Sequence, residues 1–200
     1  MTGAYRQELL ALIAELAYQE GEFVLSSGLP SHHYINCKTV TLHPQGAYWV
    51  GHLCQALISP ETVAVAGLTL GADPIVTAIA VVSASTSHPV SGLIIRKAPK
   101  GHGARTQIEG PLPPAGSTIT VVEDVVTTGR SLGVAVAVLR AAGYHVNQGI
   151  ALVDRLQGGA AYLEHLGVHL TPLFTLPEVQ AYYHRRGARE TSANAGIAPE

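Results

Sequence analysis

Charge is what this chain has least of. Asp, Glu, Lys and Arg together make up 13% of its 200 residues, against roughly 25% in an ordinary soluble domain. The 12 basic residues stand against 14 acidic ones, for a net charge of -2. A chain so balanced has no bulk positive field with which to hold nucleic acid, so any anion it binds must be met by local groups. Cysteine is scarce as well. Cys37 and Cys54 are the two present; they make neither a zinc site nor a disulfide framework and fit a reducing cytoplasm. Long apolar runs are also lacking. The longest near-apolar stretch, Pro74 to Ala84, falls well short of the ~20 residues that span a bilayer. Glu8 and Glu15 interrupt the apolar N-terminal segment, so neither a secretory leader nor a membrane partner is expected. No repeat of solenoid period is visible.

What is present is apolar material, 47% of the chain, enough for a full core. With so little charge to cover a monomer's surface, a sizeable subunit interface is expected. Leu9, Ile13 and Leu16 recur at helical spacing and predict a helix over Tyr5–Gln19 that ends near Gly21. Two short extended segments follow, around Glu22–Leu25 and His33–Cys37, and Pro44 opens a second helix to about Ile58. Strands are then expected at Thr62–Ala66, Val90–Arg96, Thr118–Glu123 and Val146–Val153. They alternate with helices at Ala72–Ala84, Arg130–Ala142 and Ala160–Leu166. This alternation predicts an α/β fold with a mainly parallel sheet and helices on both faces. Residues 97–117, rich in Gly, Pro and basic residues, form a connection too long to be merely structural. The small and polar residues after Arg186 predict a frayed tail over 187–200.

The most informative segment is Thr118-Ile-Thr-Val-Val-Glu-Asp-Val-Val-Thr-Thr-Gly-Arg-Ser-Leu: a buried strand, an acidic pair, a turn and a helix. In open α/β sheets ligands sit beyond the carboxyl ends of the strands. A turn leading into a helix offers unpaired N–H groups and the positive end of the helix dipole. Thr127, Thr128, Gly129 and Ser131 can therefore cradle a phosphate, with Arg130 adding charge or facing solvent. Glu123 and Asp124 are badly placed for a phosphate. They suit sugar hydroxyls, or magnesium held directly or through water. A phosphate at one end and a diol at the other describes a ribose 5-phosphate. The alternative is an ordinary strand–turn–helix with two solvated acids. The segment has neither the Gly-Lys-Ser/Thr core of a P-loop nor the three spaced glycines of a dinucleotide fingerprint.

A second motif, Arg96-Lys97-Ala-Pro-Lys100-Gly-His102-Gly103, gathers three cations and a histidine within seven residues. A solvated basic loop is the plain reading. The functional one is a lid for a polyanion, whose mobile lysines neutralise charge developing on a leaving pyrophosphate while His102 donates a proton or hydrogen bond. Without interleaved aromatics the segment does not read as a nucleic-acid patch.

The Thr118–Leu132 segment resembles the signature of the type I phosphoribosyltransferases, which bind phosphoribosyl pyrophosphate (PRPP). Its match covers Glu123, Asp124, Val125, Val126, Thr127, Thr128, Gly129, Arg130 and Ser131. The Arg96–Gly103 segment is similar to the catalytic loop of the orotate-specific members. Glu22-Phe-Val-Leu-Ser-Ser-Gly with His33-Tyr-Ile-Asn36 resembles their base-binding hood. Ala66-Gly-Leu-Thr-Leu-Gly-Ala-Asp-Pro74 resembles the loop that faces the pyrophosphate, and Leu152-Val-Asp-Arg155 the strand end whose arginine meets the orotate carboxylate. The resemblance covers roughly residues 20–160. It implies transfer of a phosphoribosyl group from PRPP to orotate, with Mg2+ as cofactor, in a cytoplasmic homodimer whose loops act across the interface. It implies Lys97, Lys100, His102 and Asp124 as catalytic, Arg96 as a further PRPP ligand, and Ser26, Tyr34, Thr127 and Arg155 as contacts for orotate, an arginine fork suiting a carboxylate. It further implies one domain over 1–186, with a hood at about 20–40 joined by C-terminal pieces and a core at about 45–160.

Two departures stand out. Many members carry a lysine where this chain has Ser26, and some carry one in the loop where this chain reads Leu70-Gly71. Both remove positive charge, which keeps a transferase for another base as a rival. A PRPP-sensing regulator without catalysis is a second rival. His32 and His33 lie close to the hood and could touch substrate, though the structural reading is preferred; the scattered His43, His52, His88, His145, His165, His169 and His184 read as structural or solvated.

Overall fold

The computed structural model describes residues 2–24, 30–98 and 107–195, with side chains through Ala188. Helix α1 (Thr2–Leu16) buries Leu9 and Ile13. Strands β1 (Tyr18–Val24) and β2 (Pro30–Ile35) pair antiparallel as a separate ribbon, with Tyr18 opposite Ile35. A short helix α2 (Lys38–Thr41) leads into α3 (Pro44–Gln55), whose proline stands in the first turn, where no N–H is missed. The core then runs β3 (Thr62–Leu68), α4 (Asp73–Ser83), β4 (Ser91–Ile95), β5 (Ile108–Glu109), β6 (Thr118–Val126), α5 (Arg130–Ala141), β7 (Gln148–Asp154), α6 (Gly159–His165), β8 (His169–Thr175) and α7 (Leu176–Ala195).

The main sheet has the order β5-β4-β3-β6-β7-β8. All its pairs are parallel except β4 with β5. Alternate residues of each strand feed opposite faces, as the two-residue pleat dictates. Val65, Val122, Ile150 and Leu152 join Ile13 of α1, Val50 of α3, Ile79 of α4 and Val179 of α7 in one cluster. Ala64, Ala66, Val121 and Ala151 join Leu132, Val136 and Leu139 of α5 and Leu163 of α6 in the other. The chain is thus an α/β sandwich with helices on both faces, as the alternation of elements predicts.

Four differences have physical reasons. The edge strand β5 arises inside the stretch expected to stay out of the sheet, because Ile108 pairs with Ile95 and enters the core. β8 was not among the expected strands, since Pro172 disguises it. β8 lies at the sheet edge, where a residue without an N–H is tolerated. The helix expected to fray after Arg186 continues to Ala195, through Ala188, Arg189 and Glu190, which are good helix formers. Finally, β6 does not stop at Glu123. Val125 pairs with Val153 and Val126 with Asp154, so the acidic pair sits inside the second half of a strand.

The β1–β2 ribbon is fastened to α7. Tyr18 Oη donates to Glu20 Oε1 at 2.9 Å and accepts from Gln180 Nε2 at 3.1 Å. The Tyr18 and Tyr183 rings meet edge-on at 5.1 Å, and His184 Nε2 lies 2.6 Å from Glu20 Oε1.

Candidate active site

The turn between β6 and α5 is set by packing from below. Gly129 caps α5 with φ +77° and gives it no side-chain cap. The first N–H groups of α5 are therefore left for a ligand. A Cβ on Gly159 would lie 2.9 Å from Thr127 O and 3.1 Å from Gly129 N, and one on Gly133 would strike the Tyr162 hydroxyl at 2.6 Å. The start of α6 thus buttresses the turn at backbone distance. Above it, residues Thr127, Thr128, Arg130 and Ser131 line a concavity of about 90 Å³, small enough for a single phosphate group. A helix N-terminus with free N–H groups and a favourable dipole is the chemistry such an anion requires.

The acidic pair lies beside it. Glu123 and Asp124 are both buried, and Glu123 Oε2 has no hydrogen-bond partner. Burial, reinforced by the adjacent Asp124 charge, pushes the Glu123 carboxyl up to about 9. Asp124 Oδ1 accepts from the Val125 N–H at 2.9 Å, and Oδ2 stands 3.7 Å from Lys38 Nζ. The loop after β3 closes over this carboxylate: a Cβ on Gly71 would lie 2.6 Å from Asp124 Oδ1. Lys38, Thr69, Leu70, Gly71, Lys97 and Ser131 join the two acids around a cleft of about 230 Å³. An acid with an unpartnered buried oxygen beside a second carboxyl group fits the donor hydroxyls of a sugar. No group of three or more metal-ligating side chains occurs among the described residues. Two carboxylates alone fit magnesium only if a substrate supplies most of its oxygens.

Arg155 follows β7. Its N–H donates to Val126 O at 2.9 Å, which ties it to the acidic strand. Its guanidinium donates to His33 Nε2 at 2.9 Å and leaves Nε without a partner. Burial and the Arg155 charge hold the His33 imidazole below its ordinary pKa, so neutral His33 is the acceptor. His33 also lies against Tyr18, with ring centroids 6.2 Å apart. The histidine that sequence reasoning took as structural is thus the residue the ribbon presents to Arg155. Tyr34, one residue on, is on the opposite face of β2, 42% exposed and 5.6 Å from the Phe23 ring. Arg96 is drawn to Glu109 at 3.4 Å. Lys97 reaches the cleft. Ser26, Lys100 and His102 lie outside the described residues.

Lys38 is the main residue missed. The signal is in the count: lysine occurs three times in the chain, at 38, 97 and 100, and two of these belong to the basic motif.

A protein of Nostoc sp. named orotate phosphoribosyltransferase is 55% identical over 182 residues, which covers 91% of this chain and 88% of that one. The chain belongs to the orotate phosphoribosyltransferases. Its likeness to the family member of Thermosynechococcus vestitus is 52% over 180 residues, covering 90% and 95% of the two chains. The crystal structure of the Mycobacterium tuberculosis orotate phosphoribosyltransferase in complex with PRPP superposes with a TM-score of 0.74 at 31% identity, covering 88% of this chain and 99% of that one. No family model matches the chain.

Proposed function

We propose that this chain transfers the 5-phosphoribosyl group from PRPP to orotate, giving orotidine 5'-monophosphate and pyrophosphate on the route to UMP. The observation that carries the reading is the convergence, on neighbouring strand ends, of the phosphate-sized turn at α5, the buried acidic pair of β6 and the guanidinium of Arg155. The turn from Thr127 to Ser131 holds the 5'-phosphate. Glu123 and Asp124 accept from the ribose hydroxyls, and the Arg155 fork takes the orotate carboxylate, helped by Thr127 and Ser26. The base nitrogen attacks the anomeric carbon as the bond to pyrophosphate breaks. Lys97, Lys100 and His102 stabilise the charge gathering on the leaving group, and Arg96 helps to bind it. The chain needs no covalent nucleophile, since orientation and electrostatics suffice. Glu123 and Asp124, together with oxygens of the substrate, would hold Mg2+, which would supply charge neutralisation.

A homodimer in the cytoplasm completes the reading. Exposed Leu42, Leu70 and Val81 line an apolar groove of about 610 Å³ beside the cleft. A second copy seated there would bring its own loop to this site, and the low overall charge favours such burial. Among the described residues no helix is long and apolar enough to cross a membrane.

Purified protein with PRPP and magnesium should consume orotate, followed as loss of its ultraviolet absorbance, and release pyrophosphate in equal amount. Turnover of another base in preference to orotate would overturn the substrate, and silence with every base would overturn the catalysis.

A further inference from the structure

The α2 end of the cleft poses an electrostatic problem. Pyrophosphate carries several negative charges, yet the cleft it must enter is floored by the Asp124 carboxylate. The loop after β3 supplies no balancing cation, since it reads Leu70-Gly71, and a Cβ at Gly71 would already lie 2.6 Å from Asp124 Oδ1. Among the described residues that line the cleft, the cations are Lys97 and Lys38. Lys38 extends from the start of α2, directly after the hood ribbon, to within 3.7 Å of Asp124 Oδ2. A charge-assisted N–H···O contact closes to about 2.7–2.9 Å, so this pair is loose. The lysine side chain is also 40% exposed, and such a pair contributes little to stability. A loosely held ammonium at the mouth of an anion cleft can move to a phosphate oxygen at small cost.

We infer that Lys38 is a pyrophosphate-binding residue of the transfer reaction, held at Asp124 in this structure and shifting to the pyrophosphate of PRPP when the ribose hydroxyls engage that carboxylate. As the anomeric carbon–oxygen bond breaks, its electron pair leaves with the pyrophosphate. The lone pair of the base nitrogen forms the new carbon–nitrogen bond, and the nitrogen's proton passes to pyrophosphate or water. Lys38 meets the charge that accumulates on the leaving oxygens, from an element distinct from the basic loop. The inference rests on the proposed function for the identity of the anion.

Its test is calorimetric titration with pyrophosphate, together with steady-state kinetics, on the wild type, Lys38→Ala, Lys38→Gln and Lys38→Arg. The Kd of pyrophosphate and the KM of PRPP should rise about tenfold, roughly 1.4 kcal/mol, in the alanine and glutamine variants. The arginine variant should recover most of that loss. The KM of orotate should stay within twofold, and the melting temperature should not change. Unchanged pyrophosphate affinity in a folded Lys38→Gln protein would overturn the inference. So would a parallel loss for both substrates with a lowered melting temperature, which marks a structural lysine. Because pyrophosphate is titrated without a base, failure of the wild type to use orotate would sink the proposed function separately.

Discussion

Gly158 and Gly159 stand side by side at the head of α6, yet Ala should do opposite things at the two positions. At Gly159 a methyl would meet Val126 Cγ1, Thr127 O at 2.9 Å and Gly129 N at 3.1 Å. The valine can turn away, but the two backbone atoms cannot. Restoring ordinary contact at about 3.4 Å therefore requires α6 and the turn to part by about half an ångström. Overpacking of this kind costs typically ~1–3 kcal/mol, partly offset by the ~0.5–1 kcal/mol that Ala gains over Gly within a helix. The displaced atoms are those that frame the phosphate concavity. Since misplacement by about 1 Å can cost a hundredfold in rate, half of that should cost about tenfold in kcat/KM for PRPP. At Gly158 a methyl would meet nothing within 4 Å, but φ is +88°. Gly158→Ala should therefore lose about 1 kcal/mol of stability through backbone strain and leave the KM of PRPP unchanged. Steady-state kinetics and denaturant melts of both variants make the comparison. If Gly159→Ala keeps the wild-type KM for PRPP, or if both variants lose only stability, α6 does not shape the phosphate turn.

The His33→Phe variant should raise the KM of orotate several-fold while sparing that of PRPP, because it removes the acceptor that aims Arg155; an unchanged orotate KM would refute that role. The same residue predicts a pH effect on stability. Its folded pKa is depressed, so the unfolded chain binds more protons near and below pH ~6.5, and stability should fall as pH drops through that range; His33→Phe should flatten that slope in thermal melts. Burial pushes the Cys54 thiol up to about 12 and raises Cys37 as well, so neither should react with a thiol reagent at pH 8 until denaturant is added, and rapid labelling of the native protein would contradict their burial.

The parts of the fold legible in the sequence were those where local preference and tertiary packing agree. Thr118–Val122 is continuous β-branched material, and it opens a central strand. Leu132, Val136 and Leu139 recur at helical spacing, and they became the buried stripe of α5. Legibility failed where context overrides local preference. Pro172 argues against a strand except at an edge, and whether β8 is an edge depends on the order of the whole sheet. Lys38–Thr41 contains three β-branched residues in succession and forms a helical turn only because Val40 and Thr41 are buried there.

The site divides in the same way. The turn and the acidic pair are contiguous in the chain, so spacing and residue type suffice to assemble them. The contact between His33 and Arg155 spans 122 positions, and that between Lys38 and Asp124 joins elements that no local pattern relates. The neutral loop at Leu70-Gly71 looked in the sequence like a loss of charge. The geometry adds a reason: a Cβ at position 71 would lie 2.6 Å from Asp124 Oδ1, so a side chain there would first have to displace that carboxylate, and a cation for that end of the cleft comes more easily from elsewhere. Lys38 is near enough to do so, and charge that is missing at one position of a sequence is therefore evidence about function only after the space at that position is known.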